Sequence, residues 1–190
     1  HYVLWSWVSV TTGVASAVLS STVFAQSLDS DTSIQLVAVS PEDVPEDVIP
    51  AEYNSLEEAI QFIEQNVKYN HEINKEPLFL ENNISRATNR NLLVDEHTFT
   101  GGSVKLYANY GTSGDASTGI ITYISPYTVF DGFSLGYDWV EKSCGYTISS
   151  NKKDAYIYAS GQLDYYLIIE GGIKLYSEHI NLGRTCYLAR

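Results

Sequence analysis

Two periodicities divide this chain. Past residue 98, apolar and polar side chains alternate with a period of two: in GSVKLYANYG, Val104, Leu106, Ala108 and Tyr110 alternate with Lys105, Tyr107 and Asn109. That period places successive side chains on opposite faces of a strand. Similar runs follow in GIITYISPYTVF, FSLGYDWVEKSCGYTIS, AYIYASGQL, DYYLIIEGGIKLYSEHINL and TCYLAR, separated by clusters of Gly, Asn, Asp and Ser. Short Tyr-, Ile-, Val- and Thr-rich runs between turn residues predict antiparallel hairpins, about six to eight strands over residues 99–190. The expected fold is an antiparallel β-sandwich, with a small β-barrel as the alternative. Pro126 predicts an edge strand or a bend, Gly136 a bulge, and Gly171–Gly172 a hairpin turn.

Before this region the period is helical. In NSLEEAIQFIEQNVK, residues 54–68, Leu56, Ala59, Ile60, Ile63 and Val67 form one apolar stripe, and Ser55 with Glu58 forms a capping box. The stripe predicts an amphipathic helix docked on the β domain. Residues 26–53 contain Pro-Glu-Asp-Val twice in succession. Each proline removes a donor and restrains its predecessor, so this stretch is expected to be an extended, solvated tether. Residues 69–98, rich in Asn, are expected to be a connector with one short strand near PLFL.

Charge sharpens the division. The net charge is −12. Between Ser27 and Glu81 thirteen acids face only Lys68 and Lys75, a net of −11, whereas from Asn82 onward ten acids face nine Lys and Arg, a net of −1. No cluster of basic residues exists to meet phosphates, so nucleic acid is excluded as a partner. Asp29 and Asp31 lack the glycine and later glutamate of a calcium loop. No cofactor or metal site is expected.

The opening residues bear on location. From Tyr2 to Leu28 there is no charged side chain, and Val23 and Ala25 supply the small-x-small pattern before a polar shift. Residues 1–25 are therefore expected to be a signal peptide cut after Ala25, with its basic start upstream of His1, since the sequence has no Met. The alternative is an uncleaved anchor. Cleavage leaves a secreted protein with no membrane segment. In an oxidising compartment, Cys144 and Cys186 are expected to form one disulfide, closing a loop that would stabilise the fold by about 4 kcal/mol. Asn83, Ile84 and Ser85 form a glycosylation triplet. In general layout the chain resembles small exported proteins of Gram-positive bacteria that carry a signal, an acidic tether, a short helix like SLEEAI and a β domain.

Candidate function rests on tyrosine. Twelve of the fifteen tyrosines lie beyond residue 100. In AYIYAS, Tyr156 and Tyr158 share one face and Ala155, Ile157 and Ala159 the other. With the small and aliphatic residues inward, the phenols look outward. The adjacent Tyr165 and Tyr166 must face opposite sides, and Tyr166 joins Tyr156 and Tyr158 as a candidate ligand-binding residue. Such a row suits stacking on sugars or a protein-recognition surface, so a glycan, a cell-wall component or a protein is the expected partner of a non-catalytic binding module. Two other readings remain: a toxin- or bacteriocin-like protein whose acidic lead-in is a removable pro-region, and a hydrolase using Asp95, His97, Glu178, His179, Asp138 or Glu141. No G-x-S-x-G or HExxH spacing supports the latter.

Overall fold

The computed structural model describes residues 22–25, 34–68, 76–81, 90–115, 117–133 and 135–189. Residues 1–21 of the expected signal peptide, Asp29 with Asp31, and the Asn83 triplet lie outside them.

The architecture is an antiparallel β-sandwich of two sheets that do not close into a barrel. The larger sheet is built around one long hairpin, β9 (Asp154–Ile169) and β10 (Gly172–Leu188). It turns at Glu170 and Gly171, both with positive φ. The alternation of AYIYASGQL therefore runs straight on into DYYLII as one strand, because Gly161 and Asp164 sit inside the ladder and do not break it. On the other side of β9 lie β8 (Tyr137–Ile148) and, farther along, β3 (Ala51–Tyr53). Beyond β10 lie β2 (Ile34–Ala38), which carries β1 (Thr22–Ala25) outside it, and β4 (Leu78–Leu80). The smaller sheet is β5 (Arg90–Phe99), β6 (Gly102–Ser113) and β7 (Ile120–Gly132). Pro126 falls on β7, an edge strand, where a missing donor is tolerated. Gly136 has φ +81° and lies in the bend before β8; the bulges fall instead at Leu93/Asp95, Gly111/Thr112 and Glu141/Ser143.

The core lies between the sheets. Ile157, Leu163, Leu167, Ile180 and Leu182 of the large sheet and Val104, Leu106, Ala108 and Ile121 of the small one are buried there. Helix α1 (Leu56–Asn66) completes the layer. Ser55 Oγ accepts from the Glu58 amide at 3.2 Å, and Glu58 answers by accepting from the Asn54 amide at 3.0 Å. Burying Ala59, Ile63 and Val67 turns the apolar stripe inward. Phe62 stacks on Tyr165 at 5.8 Å, and Tyr137 stacks on the same ring at 4.5 Å, so aromatic contacts join helix and sheet.

Two expectations need correction. The stretch expected to be a solvated tether contributes β2 and β3, with Ile34 and Leu36 buried in the core; the three prolines Pro41, Pro45 and Pro50 lie only in the connection between these strands. The expected connector holds β4, as PLFL suggested, and also the ten-residue β5.

The connection from β2 to β3 positions everything that follows. Both strands run parallel to β9 but lie on opposite sides of the β9–β10 pair. Residues 39–50 must therefore cross the sheet. At this end α1 occupies the inner face over Tyr165. The crossover takes the outer face, where Val48 is buried.

Candidate functional site

Outward-facing residues of β9 meet two different environments. At the Asp154 end, Ala155, Ile157 and Ala159 point into the core while Tyr156 and Tyr158 remain 49% and 37% exposed. Strand register places Thr147 and Thr185 beside Tyr156, and Gly145 and Gly183 beside Tyr158. The glycines set the pose of the rings. A methyl group on Gly145 would sit 2.8 Å from the Tyr158 hydroxyl, and one on Gly183 would sit 2.6 Å from that of Tyr156. Each phenol therefore lies down across a glycine, Tyr158 toward β8 and Tyr156 toward β10. The two rings are 5.9 Å apart with planes 20° from parallel. Hydroxyl groups edge this platform, including the pair Ser143 Oγ and Ser160 Oγ at 2.7 Å.

The same face continues across β10. Tyr187 pairs in register with Asp154, two positions from Tyr156, and on its other side with Phe79 of β4. These rings are 6.2 Å apart and tilted by 40°, with Phe79 61% and Tyr187 42% exposed. Beside them opens a cavity of about 990 Å³ whose lining includes Phe79, Tyr187, Ser117, Asn151, Lys153 and Asp154, the last paired in register with Tyr187. The Lys153 ammonium is committed to the carbonyls of Ser117, at 3.2 Å, and Gly119. Asn151 Oδ1 accepts from Ser149 Oγ and the Lys153 amide. Sequence reasoning missed this extension, although Phe79 lies in the predicted PLFL strand and Tyr187 in the predicted last one.

At the other end the face is closed. Tyr166 is only 6% exposed, and burial followed by the carboxylates of Asp164, Asp138 and Asp43 raises its pKa. Asp43 belongs to the crossover, which thus lies over this ring. The assignment of Tyr166 to the outward binding row is therefore corrected: it shares a face with Tyr156 and Tyr158 but sits beneath another layer. Asp138 and Asp164 stand directly opposite each other here. Asp164 accepts from Ser177 Oγ at 2.5 Å and Gln162 Nε2 at 2.7 Å. The pKa of Asp138 is raised by burial, then by Asp164 and by Asp47 of the crossover.

The expected disulfide is also corrected, since Cys144 and Cys186 are free thiols. Cys144 pairs with Ala159 and Cys186 with Ala155, so they flank β9 from opposite sides and are staggered along it by four residues. Two strand spacings alone separate them by about 10 Å, against an upper limit near 7 Å for bridged Cα atoms. Burial pushes both thiols up to about 11, helped at Cys144 by Glu141, which makes them poor nucleophiles.

The residues considered for hydrolysis do not converge. Asp95 is buried, and its Oδ2 accepts from the Gly183 amide at 2.8 Å, tying β5 to β10. The His97 ring packs near Phe99 at 6.0 Å. Glu178 accepts from the Tyr176 hydroxyl. As its neighbour in the strand, His179 faces the opposite side of the sheet. Glu141 accepts from Thr128 Oγ1 at 2.5 Å, whereas Asp138 faces the crossover.

No protein-family model matches the chain, and no curated protein matches it. Among solved structures, it is similar to a two-domain protein of unknown function from Bacteroides thetaiotaomicron, with 18% identity and a TM-score of 0.35. That match covers 60% of this chain and 56% of the other, so the chain spans little more than half the length of that protein.

Proposed function

We propose that this protein is an exported, non-catalytic binding module that holds a glycan, such as a cell-wall polysaccharide, against the open Tyr156–Tyr158 face. The observation that carries this reading is the pose of the two rings, lying nearly parallel over Gly183 and Gly145. A flat phenol pair offers apolar area to the apolar face of a sugar ring, and the bordering serine and threonine hydroxyls meet sugar hydroxyls. Protein-recognition anchors instead fill deep, fully desolvated pockets, which a flat platform does not provide. The net charge of −12 opposes nucleic acid as the ligand.

Export is supported by the uncharged run from Tyr2 to Leu28 and the small residues at Val23 and Ala25. Thr22–Ala25 pairs with β2 at the outside of the sheet, so a cut after Ala25 removes an edge strand and leaves β2 paired with β10. Intact mass measured on secreted protein is expected to give a chain starting at Gln26. A pro-region spanning the acidic lead-in fits the fold poorly, because Ile34, Leu36, Ile63, Val67 and Leu80 within it are core residues.

The direct test is retention on insoluble polysaccharide. The double variant Tyr156→Ser/Tyr158→Ser is expected to lose at least about tenfold in affinity, two aromatic contacts each being worth about 0.5–1.5 kcal/mol beyond area, while its far-UV spectrum stays native. Retention equal to that of the unaltered protein removes the proposal. Loss of a protein partner with no polysaccharide binding in either form would move the same face to protein recognition.

A further inference from the structure

We infer that the cavity beside Phe79 and Tyr187 is a second part of the same binding site, and that it restricts the ligand to an uncharged, hydroxyl-rich polysaccharide running from Tyr158 toward Phe79. This rests on reading the Tyr156–Tyr158 platform as a glycan surface.

Three observations carry it. The first is continuity. Tyr158, Tyr156 and Tyr187 share the outer face of the β9–β10 hairpin, Tyr187 lies two register positions from Tyr156, and Phe79 extends the row onto β4. A ligand stacked on the first two rings is thereby led to the cavity mouth. The second is the polar set beside the rings. Among the described residues, the Asp154 carboxylate accepts no side-chain or backbone hydrogen bond, and Asn151 uses only its Oδ1, so its Nδ2 donors remain for a ligand. A carboxylate acceptor, an amide donor and two aromatic rings lining one cavity match a sugar with hydroxyls on its rim and C–H bonds on its face. The third is charge. Among the described lining residues, Lys153 is the one cation, its ammonium held against the carbonyls of Ser117 and Gly119, and Asp154 the one acid, so the wall carries no net positive charge to draw an anion. No guanidinium stands among the described lining residues to fork a uronate or phosphate group, and the Asp154 carboxylate repels one. The volume of about 990 Å³ stands at the upper end of small-ligand sites, as an oligosaccharide segment requires.

The experiment measures affinity by electrophoresis through gels containing soluble β-glucan, xylan, mannan or polygalacturonate. The full chain is used with the variants Asp154→Ala and Phe79→Ala, and thermal midpoints establish folding. At least one neutral polymer is expected to retard the protein. Asp154→Ala is expected to weaken that binding about tenfold, as for loss of a hydrogen bond to a charged group, and Phe79→Ala several-fold. Polygalacturonate is expected to bind at least about tenfold more weakly than the neutral polymer, the size of one unfavourable charge contact. If both variants bind like the unaltered protein, or polygalacturonate binds as tightly as the neutral chain, the cavity assignment is overturned while the platform reading stands. If none of the four polymers retards the protein, the platform reading falls and takes the cavity with it.

Discussion

The two ends of β9 present the same alternation of outward tyrosines and inward aliphatic residues, yet one end is open and the other closed. At Tyr156 and Tyr158 the rings lie on glycines of the neighbouring strands and half-face the solvent. At Tyr166 the neighbours in register are Leu175 on one side and the bend at Gly136 on the other, and the crossover from β2 to β3 lies above. Side-chain pattern fixes which face a residue takes. Whether that face meets water depends on a segment more than a hundred residues away in sequence.

This contrast can be broken in graded ways. The largest effect is on stability: Tyr166→Ala, which opens a cavity beneath the crossover, is expected to cost about 3 kcal/mol in urea unfolding, whereas Tyr156→Ala costs less than about 1 kcal/mol. Equal losses would mean that the two ends are equally covered. Next comes Gly145→Ala, whose new methyl displaces the far end of the Tyr158 ring. It is expected to weaken polysaccharide binding several-fold and to leave stability within about 1 kcal/mol, because alanine suits a strand at least as well as glycine. Unaltered binding would show that the flat pose is immaterial.

A smaller effect concerns pH at the closed end. Asp138 has a raised pKa in the folded state, so the native protein holds that proton to higher pH than the unfolded chain does. The folded state accordingly loses stability as pH rises from about 4 through the raised value, by less than about 1 kcal/mol given the partial exposure of the group. Asp138→Asn is expected to flatten that part of the thermal-midpoint profile; a profile with the same slope would remove the repulsion between Asp138, Asp164 and the crossover from the account. The smallest expected effect is none: adding reductant leaves the unfolding midpoint unchanged, because Cys144 and Cys186 are on opposite sides of β9. A drop on reduction, of the size a bridge closing this loop confers, about 4 kcal/mol, would restore the disulfide.

Much of the fold is legible in local pattern. The period-two runs at residues 104–110 and 155–159 give strands with the correct faces, and Ser55 with Glu58 marks the start of α1, because each of these signals is set by neighbours within one turn or two strand positions. What stays hidden depends on long-range placement. β2 and β3 pair with the large sheet over two and three residue pairs, too short to impose a period on a segment rich in proline and acids. Cys144 and Cys186 both face inward, as a bridge requires, but nothing local reveals that β9 runs between them. The tyrosine platform is half legible: alternation shows that Tyr156 and Tyr158 share a face, while their flat pose depends on Gly145 and Gly183 from two other strands.

The central claim is that one strand carries an open aromatic platform and a covered ring on the same face. Hydroxyl-radical footprinting of the folded chain, read residue by residue by mass spectrometry, tests it most directly. The account predicts rapid labelling of Tyr156 and Tyr158 and strong protection of Tyr166. Labelling of Tyr166 as fast as Tyr156, or protection of all three rings, would contradict it.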